Sequence, residues 1–138
     1  MADGNDFNER VIAEFRANHG KVGGNFEAAP LLLLHSVGAR SGETRVNPMM
    51  YLPDGDRFLV FASKAGADTN PDWYHNLLAH PDARIEVGDD TFEVRAEELT
   101  GAERDEKYAE QAALYPGFAD YQEQTSRVIP VFALSRQQ

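Results

Sequence analysis

No cysteine occurs in the chain, which excludes disulfides, thiolate nucleophiles and cysteine-built zinc sites and fits a reducing compartment. Basic residues are scarce. Thirteen Lys and Arg stand against 23 Asp and Glu, a formal net charge of -10, so unspecific binding to nucleic acid or to an anionic membrane surface is disfavoured. Apolar runs such as Leu31–Leu34 fall far short of the roughly 20 residues of a membrane span, and the amino end lacks the pattern of a signal segment. The expectation is a cytoplasmic protein with no integral membrane association, its contact with membranes peripheral at most. Neither GxGxxG nor a GxxxxGK phosphate loop is present, and Ser36, Ser41 and Ser63 lack the GxSxG setting of a hydrolase nucleophile. His19, His35, His75 and His80 have no HxH or HxxxH spacing, so no metal site is expected, and His75 and His80 read as solvated helix residues.

What the chain does have is an uneven distribution of charge. Between Leu31 and Ala67, Arg40, Arg45, Arg57 and Lys64 face Glu43, Asp54 and Asp56, one positive charge in excess, while the rest carries nine basic against twenty acidic residues. This single non-acidic region includes the Gly-rich turn of Val37–Met50, where backbone amides around Gly42 and the side chains of Arg40, Ser41 and Arg45 could hold an oxyanion. The competing reading is a set of solvated side chains at a hairpin end.

The 138 residues suffice for one domain that buries roughly 70% of its extended-chain surface. Residues 1–29 read as a helix (Asn5–His19, with Phe7, Val11, Ile12 and Phe15 in one stripe and Asp6 and Glu9 at capping-box spacing) followed by a Gly-rich connector. Strands are predicted over Leu31–Val37, Val46–Leu52, Arg57–Ala62, Arg84–Val87, Thr91–Glu97 and Val128–Leu134. Helices are predicted from Asn70 as N-cap to His80, from Thr100 to Leu114, and as a short turn near Phe118–Thr125. Six short strands with interposed helices predict an α+β fold over 30–138, a closed and mostly antiparallel barrel with flanking helices.

Three more groups complete the candidate site. Ser63 and Lys64 end the third strand beside Gly66; Trp73 and Asn76 share a helix face; and Tyr115, Phe118 and Tyr121 form a late aromatic group, for which plain core packing is the alternative. The segments GARSGETRVNPMMYL (38–52), FASKAGADTNPDWYHNLLAHP (61–81) and LYPGFADYQEQTSRVIPV (114–131) resemble the deazaflavin-dependent nitroreductase family of actinobacteria, split β-barrel oxidoreductases of the flavin-reductase and pyridoxamine-oxidase type that use coenzyme F-420.

The resemblance implies that the phosphate and oligoglutamate tail of the coenzyme lie against Arg40, Ser41, Arg45 and Lys64, beside Ala39. It places the ring along Val46, Asn47, Pro48, Met49 and Met50 and against Ala62 and Ser63, with Trp73 and Asn76 in support. It implies a substrate pocket of Met50, Phe118 and Tyr121, and Ser63, Tyr115 or Tyr121 as the group that orients or protonates the acceptor. Family members often carry a basic residue at the position of Ala39 and tyrosines at those of Met50 and Phe118, so this pocket is the more apolar. That favours a quinone over a bicyclic nitroimidazole. The expected activity is hydride transfer from the reduced deazaflavin to a quinone or nitroaromatic, by a monomer or homodimer. The alternatives are a non-catalytic deazaflavin or ligand carrier and a flavin-mononucleotide (FMN) enzyme on the same barrel.

Overall fold

Alternation of apolar residues along the strands decides this architecture. In the computed structural model, which describes residues 3–20 and 30–137 (side chains of 3–8 and of 65 excepted), seven antiparallel strands form one sheet. They are β1 (Leu31–Val37), β2 (Thr44–Met50), β3 (Leu52–Asp54), β4 (Arg57–Phe61), β5 (Asp82–Val87), β6 (Asp90–Leu99) and β7 (Val131–Arg136), in the order β2-β1-β5-β6-β7-β4-β3. The edge strands β2 and β3 are consecutive in the chain and separated by Tyr51 alone. The sheet therefore curls until its two edges meet covalently, the split barrel that the resemblance implies; the strand pattern alone predicts a closed barrel of six strands, whereas the edges β2 and β3 share no ladder. Closure comes from the chain rather than from a ladder between the edges.

The seventh strand arises where the sequence reads one strand, Val46–Leu52. Met50 is the last residue on the β1 ladder, opposite Leu31, and Leu52 the first on the β4 ladder, opposite Leu59. Tyr51 changes partner between them and donates its N–H to Pro30 O at 3.1 Å. The last strand starts at Val131 rather than Val128, because Ile129 and Pro130 serve as a connector; Pro130 O accepts the N–H of Ala62 at 2.9 Å.

Successive residues of each strand enter different cores. Leu32, Leu34, Val60, Ile85, Val94, Phe132 and Leu134 pack inside the curl, where helix α2 (Asp72–Ala79) adds Trp73 and Leu77. Leu59, Phe61, Val131 and Ala133 face the opposite way, beneath helices α3 (Gly101–Leu114) and α4 (Gly117–Gln124) with Tyr108 and Phe118. Leu31 and Leu33 lie under helix α1 (Asp3–Ala17) with Val11 and Phe15. Each fully buried side chain of this size contributes about 1.5–3 kcal/mol of transfer free energy.

The start of α2 differs from expectation, and that of α3 falls at the predicted Thr100 but without a side-chain cap. Asn70 does not cap α2; Pro71 takes that position, and Asn70 Oδ1 instead accepts a hydrogen bond from Arg127 Nη1 at 2.8 Å. Thr100 precedes α3 without a side-chain cap, and Glu103, three residues on, accepts from Arg57 Nη2 at 3.1 Å. A long-range cation wins in both cases. Helix α1 begins at Asp3, two residues earlier than predicted; the side chains of Asp6 and Phe7, and the connector 21–29, lie outside the described residues.

Candidate active site

The turn between β1 and β2 is shaped by its own atoms. Gly38 donates its N–H to Glu43 O at 2.7 Å, Gly42 donates to Gly38 O at 3.0 Å, and Glu43 donates to Ser41 Oγ at 3.1 Å. A Cβ on Gly38 would sit 2.5 Å from Ser41 Oγ, so any larger residue there would have to displace the Ser41 hydroxyl from its bond to the Glu43 N–H. Ser41 thereby spends one lone pair on its own turn.

Asn76 braces the turn from α2. It is buried, its Oδ1 accepts the Ala39 N–H at 2.9 Å, and its Nδ2 donates to the buried Ser36 Oγ at 3.2 Å. The amide is thus committed to holding the turn. Arg40 forms no ion pair or hydrogen bond among the described residues, and Arg45 lies 3.6 Å from Glu43 with both side chains mostly exposed. These guanidinium groups keep their donors free for an incoming anion.

Around this turn opens a cleft of ≈ 770 Å³ lined by Gly38, Ala39, Arg40, Ser41, Arg45, Asn47, Asp72, His75 and Asn76. Beside it, further along β2 and across the start of α2, lies a second cleft of ≈ 260 Å³. Met49, Met50, Phe61, Pro71, Trp73 and Phe118 make its walls apolar; Ser63, Lys64 and Tyr121 supply its polar groups. Phe118 stacks edge-on against both Phe61 and Tyr121, with centroids 5.8 and 5.2 Å apart. Lys64 is held at a positive φ of 48° and donates to Thr69 Oγ1 at 3.1 Å.

Most of the residues singled out from the sequence meet in these two clefts, with five departures. Val46 turns away, packed with the α1 core, and Pro48, also half-buried, lines neither cleft. Ala62 is fully buried and lines neither cleft; its N–H is given to Pro130 O and its carbonyl accepts from Arg127 Nη1. Tyr115 packs behind Phe118 in the core beneath the second cleft rather than lining it. Lys64, grouped by sequence with the arginines, lines the apolar cleft instead.

Several residues of the site were not anticipated. Asp72 and His75 wall the cleft around the turn; their spacing to Asn76 on one helix face was the available signal, although His75 reads in isolation as a solvated side chain. Arg127 carries no local signal. Its guanidinium gathers the loop that presents Ser63 and Lys64, donating to the carbonyls of Ala62, Ser63 and Ala67 and to Asn70 Oδ1 at 2.7–3.0 Å. Burial lowers its pKa, an effect that Asp68 and Tyr108 oppose. Beneath α4, the Tyr108 hydroxyl donates to Phe118 O at 2.6 Å, and burial pushes its pKa up to about 12.

Two clefts that draw on successive residues of β2 and α2, one bearing Arg40 and Arg45 and the other largely apolar, suit a long ligand, anionic at one end and flat and apolar at the other. A quinone reductase of Mycobacterium tuberculosis (strain H37Rv) described as F420H(2)-dependent is 38% identical over 128 residues, covering 90% of this chain and 86% of the relative. A solved F420-H2 dependent reductase, FDR-A, superposes with a TM-score of 0.71 at 36% identity over 77% of this chain and 94% of its own. A structure described as a domain-swapped dimer matches with a TM-score of 0.72 at 33% identity over 96% of both chains. The family model for F420H(2)-dependent quinone reductase matches residues 8–136, and the chain belongs to that family.

Proposed function

We propose that this protein binds reduced coenzyme F-420 across the two clefts and transfers a hydride to a quinone. The observation that carries this reading is the pair of exposed guanidinium groups, Arg40 with no partner among the described residues and Arg45 with only the exposed Glu43 at 3.6 Å, at one end of a site whose other end is walled by Met50, Trp73 and Phe118. When bound, the coenzyme supplies a hydride from its deazaflavin ring.

The chain supplies the rest. Arg40 and Arg45, with the Gly38–Gly42 turn, bind the phosphate and carboxylates of the tail. Asn47 and Met49, alternate residues on one face of β2, and Trp73 across from them, hold the ring between the clefts. Asn76 acts on the tail through the turn it braces. Phe61, Met50 and Phe118 exclude water from the acceptor, and Lys64 places a positive charge where the reduced acceptor gains electron density. Ser63 and Tyr121 hold the hydroxyl protons nearest the acceptor, so one of them protonates it; Tyr115 supports Phe118 from behind.

The acceptor end bears three hydroxyl or ammonium groups among six apolar side chains, which supports a quinone or an unfused nitroaromatic over a bicyclic nitroimidazole. The test is turnover of reduced coenzyme with menadione, a mononitroaromatic and a bicyclic nitroimidazole, followed by deazaflavin absorbance. Saturable menadione reduction is expected, with kcat/KM at least about tenfold above that for the nitroimidazole. Tight coenzyme binding without turnover of any acceptor would identify a carrier instead. The swapped-dimer relative supports a homodimer, expected as a single species of twice 15.3 kDa in sedimentation velocity, and a species of 15.3 kDa would contradict it.

A further inference from the structure

Arg127 stands in the connector between α4 and β7, far in sequence from the residues it touches. Its Nε donates to Ala67 O at 2.7 Å, its Nη1 to Ala62 O at 3.0 Å and Asn70 Oδ1 at 2.8 Å, and its Nη2 to Ser63 O at 2.8 Å. No carboxylate bonds to it directly among the described residues, so all three nitrogens are spent on one loop. That loop, 62–70, is bent around the guanidinium, with Lys64 and Gly66 both at positive φ.

The same loop is pressed against α4. A Cβ on Gly66 would lie 2.8 Å from Gln124 Oε1 and 3.0 Å from Tyr121 O, so the two segments touch without spare room. Helix α4 is fixed in turn from behind. Arg104 Nη2 donates to Gln122 Oε1 at 2.6 Å, and Gln122 Nε2 donates to the carbonyl of Arg127 at 2.7 Å. A chain of hydrogen bonds thus runs from α3 through Gln122 to Arg127 and on to the carbonyl of Ser63.

The acceptor cleft takes Ser63 and Lys64 of its lining from this loop and Phe118 and Tyr121 from α4. We infer that Arg127 is a positioning residue for the reaction, fixing the Ser63–Lys64 wall at a set distance from the Phe118–Tyr121 wall without touching substrate. This rests on the hydride-transfer reading above. A planar fork of donors suits carbonyls arriving from three directions, and a lysine ammonium cannot reproduce it. The anion-binding cleft is built from the β1–β2 turn and α2, so its hold on the coenzyme tail should be independent of Arg127.

The experiment compares wild type, Arg127→Lys and Arg127→Ala in coenzyme binding, menadione kinetics and thermal unfolding. Coenzyme dissociation constants are expected within about threefold of wild type, with kcat for menadione lowered about 100-fold, the scale for a misplacement near 1 Å. Guanidinium at tens of millimolar should restore at least about tenfold of the activity of folded Arg127→Ala, and methylammonium should not. Unchanged kcat in Arg127→Lys overturns the inference. So does a parallel loss of coenzyme affinity, kcat and thermal stability that guanidinium leaves unrepaired, since that marks a residue of the fold only. If wild type binds the coenzyme but reduces no quinone, the hydride-transfer reading falls first and this inference with it.

Discussion

Arg40 and Arg45 differ from most arginines of this protein in what they leave undone. Arg57 is engaged by Asp54 and Glu103, Arg16 by Glu86 and Arg84 by Glu93, whereas Arg40 has no partner among the described residues and Arg45 only a distant, exposed one. Replacing Arg45 by alanine should weaken coenzyme binding by about 1.5–3 kcal/mol, the worth of a charge-assisted hydrogen bond, in a fluorescence titration. An unchanged dissociation constant would remove Arg45 from the site. Gly38→Ala acts on the same site through the backbone: its Cβ would displace Ser41 and open the turn, so coenzyme affinity should fall while the tailless riboflavin-like analogue binds as before. The arginines were legible in the sequence because charge can be counted along a chain. Asn76 was legible as a member of the site but not as its brace, since Ser36 and the Ala39 amide reach it only when α2 lies across the end of β1.

Single elements are held by polar latches whose pH dependence follows from their sign. Helix α1 is tied to β5 by Arg16, which donates to both carboxylate oxygens of Glu86, and His35 Nε2 lies 2.6 Å from the same carboxylate. The Arg16 hydrogen bond, and then His35, hold the Glu86 pKa below its ordinary value of 4.5. A lowered carboxyl contributes stability above the ordinary value and loses it as pH falls through the lowered one. Glu86→Gln should therefore be less stable than wild type at neutral pH, with the difference closing below pH 4.5 in urea titrations. The α3–α4 pair behaves oppositely. Tyr108, raised to about 12, stabilises the fold below its ordinary 10 and loses that contribution as pH rises toward 12. Tyr108→Phe should cost about 1 kcal/mol at neutral pH and abolish that alkaline slope. Helices and strands were legible from periodicity, but the roles of Asn70, Glu103 and Tyr51 were not. Each is decided by a partner 46 or more residues away (Arg57 to Glu103, Arg127 to Asn70) or by a change of ladder, and neither leaves a local trace.

At the scale of the whole molecule, one feature of topology makes the site. Because the curled sheet begins one edge at β2 and ends the other at β3, the chain that leaves the anion-binding turn runs straight along the apolar cleft to Tyr51. The α2 helix closes the end of the curl and walls both clefts through Asp72, His75 and Trp73. A protein of net charge -10 thus keeps Arg40 and Arg45, the first without a partner among the described residues and the second with only a distant one, at the cleft proposed for the coenzyme tail. The barrel was predictable from strand count and spacing; the adjacency of the clefts was not, since it depends on which strands form the edges. The central claim, that this site is built for a deazaflavin with a charged tail, is tested most directly by fluorescence titration of the wild-type protein with coenzyme F-420 and with FMN side by side. Saturable binding of coenzyme F-420 is expected, at least about tenfold tighter than that of FMN, a gap of about 1.4 kcal/mol. Equal or tighter binding of FMN would contradict it.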